Sequence, residues 1–393
     1  MTGEPVAERA APSQTGHSFT DTLRYFLGLG TWGFGGPIAT VGYMQRDLVT
    51  TRSWVSERDF LNGVALGQTM PGPLAAQVVM WVGYLEAGPL GALGTAAAFI
   101  LPSFLLVFGV AALYVHFNGL EVVQALFYGI APGVMAIIAV AAVKLARLTN
   151  RTDARLWVIS IAVCVVTAVT GAEIALMFVG AGLLMVLWDA PPRFVPWARS
   201  NILLPFPLLA ALSTDTSGST LTALGLFFLK AGALIFGSGL AIVPFLQAGV
   251  VEQHHWLTQR QFLDAVAMGL ITPGPVVITA TFIGYLVSGV AGAFLATAAI
   301  FVPIYLGVVV PGRWFVRHRD HPALRAFVKG ATAAAAGAIA GATIVLTKGA
   351  VVDWATAAIA LGALAFVLLF KNKEPILVVL SALAGVALYS VRG

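Results

Sequence analysis

The chain has 393 residues, of which 59% are hydrophobic and only 10% are charged, and its net charge is +5. A soluble domain carries about 25% charged residues, so this chain cannot cover a water-facing surface of ordinary polarity. The composition excludes a soluble enzyme and a disordered chain, and it predicts an all-α integral membrane protein. The one cysteine, Cys164, excludes an internal disulfide, a structural zinc site and an iron–sulfur cluster.

Twelve apolar segments follow a polar, disordered tail predicted over residues 1–19. About 20 helical residues cross a hydrocarbon core of about 30 Å, and most of the segments reach that length. Six lie in an N-terminal membrane repeat, 20–189, and six in a C-terminal repeat, 220–393, with a polar, proline-rich linker over 190–219 between them. The segments are Thr20–Met44, Phe60–Tyr84, Leu90–Val115, Val122–Ala146, Leu156–Thr170, Ala172–Trp188, Leu221–Val251, Phe262–Val287, Val290–Pro311, Leu324–Leu346, Trp354–Phe370 and Ile376–Val391.

The two halves share a residue pattern in register, which indicates an internal duplication. Phe34-Gly35 recurs 202 positions later as Phe236-Gly237, and after one deletion Pro102 recurs at an offset of 201 as Pro303. Similar hydropathy alone would not keep Trp, Arg and Pro-Gly-Pro in register. The other residues at offset 202 are Trp54, Arg58, Phe60, Leu61, Ala65, Gly67, Pro71, Gly72 and Pro73, whose partners are Trp256, Arg260, Phe262, Leu263, Ala267, Gly269, Pro273, Gly274 and Pro275.

The placement of Lys and Arg predicts that the repeats are inverted. If all twelve segments cross, the 22 basic residues divide evenly, but if each Pro-Gly-Pro segment is re-entrant they divide 16 to 6. The positive-inside rule then makes the richer side cytoplasmic. Each half has five crossings and one re-entrant element, so the second repeat starts from the opposite side, as in many secondary transporters. The sixteen are Arg46, Arg52, Arg58, Lys144, Arg147, Arg151, Arg155, Arg193, Arg199, Arg313, Arg317, Arg319, Arg325, Lys329, Lys371 and Lys373.

Four helix breaks are predicted inside the apolar segments. Two prolines around a glycine cannot continue a helix, and the same holds for the glycine-rich motifs Gly33–Pro37 and Phe236–Gly239. Broken backbone at membrane depth is tolerated where it is buried or lines a wet cavity. A half-helix that starts after such a break presents free N–H groups to an anion, although glycine and proline could instead serve close packing.

Polar side chains beside the breaks are candidate ligands for an oxyanion, or else they bond to backbone carbonyls. Lys230 lies within an apolar segment, where an ionisable residue is a functional candidate that could instead reach the interface. Arg58 and Arg260 either attract anions or anchor the membrane boundary, and Asp264 is placed to pair with Arg260. The predicted substrate-binding residues are Gly35, Gly36, Pro37, Gln68, Pro71, Gly72, Pro73, Gln77, Lys230, Gly237, Gly239, Thr272, Pro273, Gly274 and Pro275.

These motifs resemble the chromate ion transporter family in its long, two-domain form, over roughly Phe19 to Tyr389. The marks are Phe34-Gly35-Gly36-Pro37, Gln68 with Pro71-Gly72-Pro73 and Gly83-Tyr84, and Pro273-Gly274-Pro275 with Gly284-Tyr285. The resemblance implies a multi-pass inner-membrane protein that exports chromate and gives chromate resistance, with a relation between chromate and sulfate transport. The second glycine motif departs from the double-glycine form, since Ser238 stands where the first repeat has Gly36.

Several functions remain open on the sequence. The first is a secondary transporter that exports chromate, the second is a transporter of sulfate or another tetrahedral oxyanion, and the third is an anion channel. A membrane-embedded enzyme would need clustered His, Asp or Cys at membrane depth, which the sequence lacks. We therefore expect no enzymatic activity, cofactor, metal or nucleic acid, with a lipid bilayer and a small anion as partners and a homodimer left open.

Overall fold

The computed structural model describes residues 17–33, 36–117, 121–170, 175–191, 219–235, 239, 242–312, 314–315, 321–370 and 374–389. These residues form fourteen α-helices and contain no strand, so the predicted all-α class is confirmed. The helices are α1 Phe19–Trp32, α2 Gly36–Met44, α3 Glu57–Thr69, α4 Leu74–Phe117, α5 Glu121–Asn150, α6 Ala154–Thr170, α7 Ala175–Asp189, α8 Thr220–Leu234, α9 Ile242–Leu246, α10 Gln259–Ile271, α11 Thr279–Val309, α12 Pro322–Ala350, α13 Trp354–Leu369 and α14 Glu374–Tyr389.

Each repeat opens with a helix that turns back instead of crossing. Helix α1 is followed by α2 and a π-helical turn, Gln45–Thr51, after which the chain has returned to the level of its entry. The Tyr25 hydroxyl donates to Asp47 at 3.2 Å, and the rings of His17 and Trp54 stack with centroids 4.5 Å apart. In the second repeat Phe227 of α8 stacks in the same way on Phe245 of α9, at 5.3 Å.

The Pro-Gly-Pro loop forms the tip of a second re-entrant hairpin. The Trp81 indole N–H donates to the Asp59 carbonyl at 2.8 Å, so the start of α4 runs antiparallel to α3. At Ala87 and Gly88 the α4 chain bends again, with Gly88 at φ 63°. The rest of α4 then packs antiparallel to its own first turns, because Thr95 Oγ1 donates to the Val79 carbonyl at 3.0 Å.

The two repeats are inverted with respect to each other. The Tyr305 hydroxyl near the end of α11 donates to the carbonyl of Pro89, which lies just after the bend of α4, at 3.0 Å. Further along, the rings of Phe104 and Phe294 lie 4.8 Å apart. The long arms of α4 and α11 therefore run in opposite directions, so the second repeat enters from the end of the bundle opposite to the first.

We call the end of the bundle that holds the N-termini of α1 and α3 the Arg58 face, and the end that holds the N-termini of α8 and α10 the Arg260 face.

The expectation of five crossings and one re-entrant element in each half is wrong, because the first apolar segment also folds back. In each half the described residues give two re-entrant hairpins and four helical stretches that run from one end of the bundle to the other. These stretches are the long arm of α4 with α5, α6 and α7, and the long arm of α11 with α12, α13 and α14.

The repeats interlock through their long helices, α5 and α12. Gly129 of α5 packs on the Ser381 carbonyl of α14, while Gly337 of α12 packs on the Ser160 carbonyl of α6. Small residues permit such close helix contacts within a membrane. Helices of each half thus bury helices of the other, and the central helices are held by both repeats.

Four helical stretches are long and apolar enough to cross a membrane by length and composition, within the part of the chain that is described. They are Leu74–Phe117, Gln124–Asn150, Val276–Val309 and Pro322–Ala350. Shorter apolar helices such as α6 and α13 pack against them. The chain is therefore a multi-pass membrane protein.

Candidate functional site

Both Pro-Gly-Pro loops break their helices with a glycine in a conformation that other residues avoid. Gly72 has φ 141° and Gly274 has φ 99°. Before each loop the backbone becomes extended, at Met70 and at Thr272. The predicted breaks are therefore present at matched positions, and each glycine is required by its backbone dihedral.

Three of the four breaks lie next to one another near the middle of the bundle. A Cβ placed on Gly239, in the second glycine-rich motif, would lie 3.5 Å from Val276 Cβ and 3.8 Å from Pro73 Cβ. The Gly72 N–H donates to the Ile235 carbonyl at 2.6 Å, which joins the first loop to the end of α8. The first Pro-Gly-Pro loop therefore meets the second repeat's glycine-rich break and the residue that follows the second Pro-Gly-Pro.

Each tip is also held by the long arm of the other repeat. Ser103 Oγ, on α4, donates to the Pro273 carbonyl at 2.6 Å. At the matched position on α11, a Cβ on Gly72 would lie 3.0 Å from Ile304 Cγ2. The tips thus contact the two helices that cross the bundle between them.

The half-helices that leave the tips present unpaired backbone donors to this region. In α4 the first N–H bonded within the helix is that of Gln77, which donates to the Pro73 carbonyl at 3.1 Å. The N–H groups of the preceding turn therefore have no partner inside the helix, and the positive end of its dipole lies at the tip. After Pro275 the 3₁₀ turn Val276–Ile278 begins in the same way.

The polar side chains at the tips mostly bond to backbone. Gln77 is fully buried and its Nε2 donates to the Pro71 carbonyl at 2.9 Å, which closes the first loop. Thr272 Oγ1 donates to the Met268 carbonyl. Gln68 has an exposed side chain at the end of α3. The sequence left oxyanion binding and backbone bonding open for these residues, and in this structure Gln77 and Thr272 use their donors on carbonyls.

Some of the other predicted site residues lie in the helices beside the breaks, and others lie outside the described residues. Gly36 and Pro37 begin α2, whereas Gly35 and Gly237 lie outside the described residues. Lys230 is half-buried in the last turn but one of α8, and it has no ion-pair partner within the described part of the chain.

The mouth of the first re-entrant hairpin carries charges that the second lacks. The Arg46 guanidinium, whose Nε lies 2.7 Å from Asp47 Oδ1, holds the pKa of that carboxyl below its ordinary value. The Arg52 guanidinium lies over the Trp54 ring, 4.6 Å from its centroid. At the position of Asp47 the second repeat has Gly249, which packs on Phe227.

The expected pair between Arg260 and Asp264 does not form. Arg260 instead donates to the Gln124 carbonyl at 3.1 Å, and Asp264 accepts a hydrogen bond from the Tyr114 hydroxyl at 2.8 Å. Sequence reasoning missed both Tyr114 and Ser103, because their partners lie 150 and 170 positions away. The one signal for Ser103 was its place directly after Pro102, which the repeat matches to Pro303.

Broken half-helices that meet inside an inverted repeat are typical of many membrane transporters. The chromate transporter family model matches residues 20–186 and 222–386 of the chain, once in each repeat. The chain therefore belongs to the chromate transporter family, and it is a transport protein and not an enzyme.

Three relatives illustrate the similarity. A chromate transport protein of Cupriavidus metallidurans is 48% identical, over 94% of both chains. A probable chromate transport protein of Synechococcus elongatus is 47% identical, over 95% of this chain and 96% of that one. A chromate transport protein of Pseudomonas aeruginosa is 30% identical, over 94% of this chain and 92% of that one. No solved structure matches the chain.

Proposed function

We propose that the protein is a secondary transporter that exports chromate across the cytoplasmic membrane and so gives chromate resistance. The observation that carries the proposal is the meeting of three helix breaks around Gly239, where half-helix N-termini offer N–H donors to an anion. The relatives named as chromate transport proteins support chromate as the anion. In this proposal alternating access takes place around the two inverted repeats, 20–189 and 220–393, which the linker 190–219 joins.

The Arg58 face is the cytoplasmic one in this proposal. Nine of the sixteen basic residues assigned to one side from sequence are described, and they belong to the ends of helices at this face. At the Arg260 face the described chain carries Arg260 and Lys348. The positive-inside rule supports this orientation. The nine residues are Arg46, Arg52, Arg58, Lys144, Arg147, Arg151, Arg155, Arg325 and Lys329.

The membrane potential is sufficient to drive export of a dianion. At 100 mV, inside negative, one charge gains about 2.3 kcal/mol, so two charges gain about 4.6 kcal/mol, or a gradient of over a thousandfold. Transport in this direction therefore needs no ATP. Sulfate is a tetrahedral dianion of similar shape, and the N–H donors of the tips would bind it by the same contacts.

Uptake of radiolabelled chromate into inverted membrane vesicles tests the proposal, since uptake there corresponds to export in cells. We expect saturable uptake that is driven by an imposed potential, positive inside the vesicle. Absence of such uptake would contradict export. Sulfate flux above chromate flux would make sulfate the substrate, and flux without saturation or counterflow would identify a channel.

Two further measurements test the site and the orientation. Pro71→Ala and Pro273→Ala should each lower uptake at least tenfold while the protein still inserts into the membrane, and full activity in both would leave the breaks a packing role. With Cys164→Ala as background, cysteines at Arg58 and Arg325 should be labelled from the cytoplasm and a cysteine at Arg260 from outside. Labelling of Arg58 and Arg325 from opposite sides would contradict the inverted arrangement.

A further inference from the structure

One buried carboxylate is used by neither the helix breaks nor the packing of the repeats. Asp264 lies on α10 with 2% of its surface exposed, and its Oδ2 accepts a hydrogen bond from the Tyr114 hydroxyl at 2.8 Å. Its Oδ1 is buried and has no hydrogen-bond partner among the described residues. A charged carboxylate with an open lone pair is costly inside a membrane protein, whereas a proton on Oδ1 removes that cost.

A cavity connects this carboxylate with the Arg260 face. It has a volume of about 210 Å³ and is lined by Tyr114, Gln124, Phe127, Thr258, Arg260, Gln261 and Asp264. Six of its seven lining residues carry polar groups, which can hold the water that a proton needs for access. The Arg260 guanidinium donates to the Gln124 carbonyl at 3.1 Å. Arg260 lies near the N-terminus of α10, the helix that also carries Asp264.

The carboxylate has few charged or titratable neighbours. Several described elements pack around α10. Near the Arg260 face, their charged or titratable side chains lie close to the ends of these elements. Of these, Tyr114 contacts the Asp264 carboxylate and Arg260 lines its cavity. The groups concerned are Tyr114 and His116 of α4, Tyr128 of α5, Glu252, His254 and His255 in and after the π-helical turn Gln247–Gln253, Arg260 of α10, Tyr285 before the bend of α11, Lys348 of α12, Asp353 before α13 and Tyr389 of α14.

The first repeat shows that the fold does not need a carboxylate at this position. The residue 202 positions before Asp264 is Asn62, which is 4% exposed on α3. Tyr114 corresponds to Phe315, so the hydroxyl that bonds Asp264 is also present in only one repeat. An ionisable pair has therefore been placed in one of two otherwise equivalent hairpins.

Asp264 is also close enough to the helix breaks to interact with a bound anion. It lies eight residues before Thr272 on α10, which corresponds to about 12 Å along the helix. A negative charge at Asp264 repels a dianion at the tips across a medium of low dielectric constant. A proton on Asp264 removes this repulsion, and by linkage a bound anion must in turn favour the proton.

We propose that Asp264, with Tyr114 and the cavity beneath Arg260, is a proton-binding site that is linked to anion binding at the helix breaks. A hydronium ion in the water at the Arg260 face gives the proton: one of its O–H bonds breaks as the O–H bond at Oδ1 forms, and a water molecule remains. The inference rests on the proposed anion transport, and it adds a proton to the transport cycle.

The site is tested first without any substrate. Infrared difference spectra of the purified protein in lipid nanodiscs, taken between acid and neutral pH, report the C=O band of protonated carboxyl groups. We expect a band that Asp264→Asn removes and that Glu86→Gln leaves in place. Glu86 is the matched control because it too has a buried oxygen without a hydrogen-bond partner, at the Arg58 face. Persistence of every carboxyl band in Asp264→Asn overturns the proposal.

The linkage is tested by proton uptake on addition of chromate in weakly buffered solution. The wild type and Glu86→Gln should take up protons, while Asp264→Asn should take up only those due to chromate itself. Equal uptake by Asp264→Asn and the wild type overturns the linkage. If chromate and sulfate both fail to bind the wild type, the proposed function fails instead, and the infrared result still decides whether Asp264 binds a proton.

A second variant covers the case in which Asp264→Asn does not fold. Tyr114→Phe removes a hydrogen bond donated to the charged carboxylate, so the midpoint of the infrared titration should move to higher pH. The matched position in the first repeat already carries a phenylalanine, Phe315, which is buried there. An unchanged midpoint in Tyr114→Phe contradicts the assignment of the band to Asp264.

Discussion

The two repeats have nearly the same backbone but different polar groups. Ser53 and His255, 202 positions apart, have φ values of 53° and 50°, and Gly88 and Gly289 have values of 63° and 60°. A π-helical turn precedes each of the first pair. The duplicated hairpins have therefore kept their turns, including those that strain a side chain, while the residues around the tips have changed.

The polar side chains around the helix breaks differ between the two repeats. The first repeat has Gln77 where the second has Thr279, and Ser103 where the second has Ile304. Asp264 belongs to the second repeat alone, where the first has Asn62. Since the backbone is common and the polar side chains are not, the geometry of the breaks is the shared requirement, and an anion would meet different side chains from the two sides.

The second repeat is one residue shorter than the first beside the Pro-Gly-Pro loop, and a 3₁₀ turn compensates for the missing length. The second repeat lacks one residue between Thr279 and Gly284, and it begins its outgoing helix with the 3₁₀ turn Val276–Ile278. A 3₁₀ turn rises about 2.0 Å per residue and an α-helix about 1.5 Å. Three 3₁₀ residues therefore gain about 1.5 Å, which is the rise of the one missing residue.

The largest effects are expected from alanine at the two tip glycines. Gly72→Ala and Gly274→Ala each force a side chain into a sparsely populated region of positive φ, at about 1–3 kcal/mol, and add atoms to a packed site, at about 1–3 kcal/mol. We expect each variant to lower saturable chromate uptake at least tenfold. Gly28→Ala is the control, because a Cβ on Gly28 meets no atom within 4 Å.

A second substitution, at Ser103, is expected to affect Gly72→Ala and Gly274→Ala differently. A Cβ on Gly274 collides with Ser103 Oγ, whereas a Cβ on Gly72 meets Gln77 and Ile304. Ser103→Ala should therefore restore part of the activity of Gly274→Ala and none of that of Gly72→Ala. Equal rescue of both variants would contradict the contacts of the tips.

An intermediate effect is expected from making the first repeat resemble the second. Gln77→Thr removes the hydrogen bonds that Nε2 donates to the Met70 and Pro71 carbonyls, at about 0.5–1.5 kcal/mol each. Uptake should fall by about three- to tenfold, and the melting temperature in detergent should fall with it. Thr279→Ser is the matched control, since it keeps the hydroxyl that donates to the Val276 carbonyl. Wild-type uptake in Gln77→Thr would show that the loop closes without this amide.

The breaks and the duplication could be predicted from sequence because proline and glycine act on their own backbone. Pro71 and Pro273 end a helix whatever surrounds them, and the offset of 202 carries the first break to the second. The first hairpin was missed for a related reason. Gly33–Pro37 was recognised as a break, but whether a broken helix continues or turns back depends on contacts such as that of Tyr25 with Asp47.

The partners of buried polar groups could not be predicted, since helix packing sets them. A spacing of four residues on one helix predicts a pair between Asp264 and Arg260, yet the Asp264 carboxylate bonds to the hydroxyl of Tyr114 from another helix. Gln77 was a candidate ligand by its position, and packing turned its amide toward the loop carbonyls. Spacing along the chain thus placed the breaks, and packing decided which side chains remain available there.

The smallest effect is expected at Lys230, where the repeats differ by a charge. Its counterpart is Gly28, so only one of the two opening helices carries a cation at this level. If its ammonium group attracts the anion toward the breaks, Lys230→Gln should raise the KM for chromate about threefold with kcat unchanged, and Lys230→Arg should keep the wild-type KM. The melting temperatures of both variants should stay at the wild-type value, because Lys230 has no ion-pair partner in the described chain. Equal KM values for Lys230→Gln and the wild type would leave the lysine a role at the membrane interface, and the asymmetry of the site would then rest on its uncharged groups.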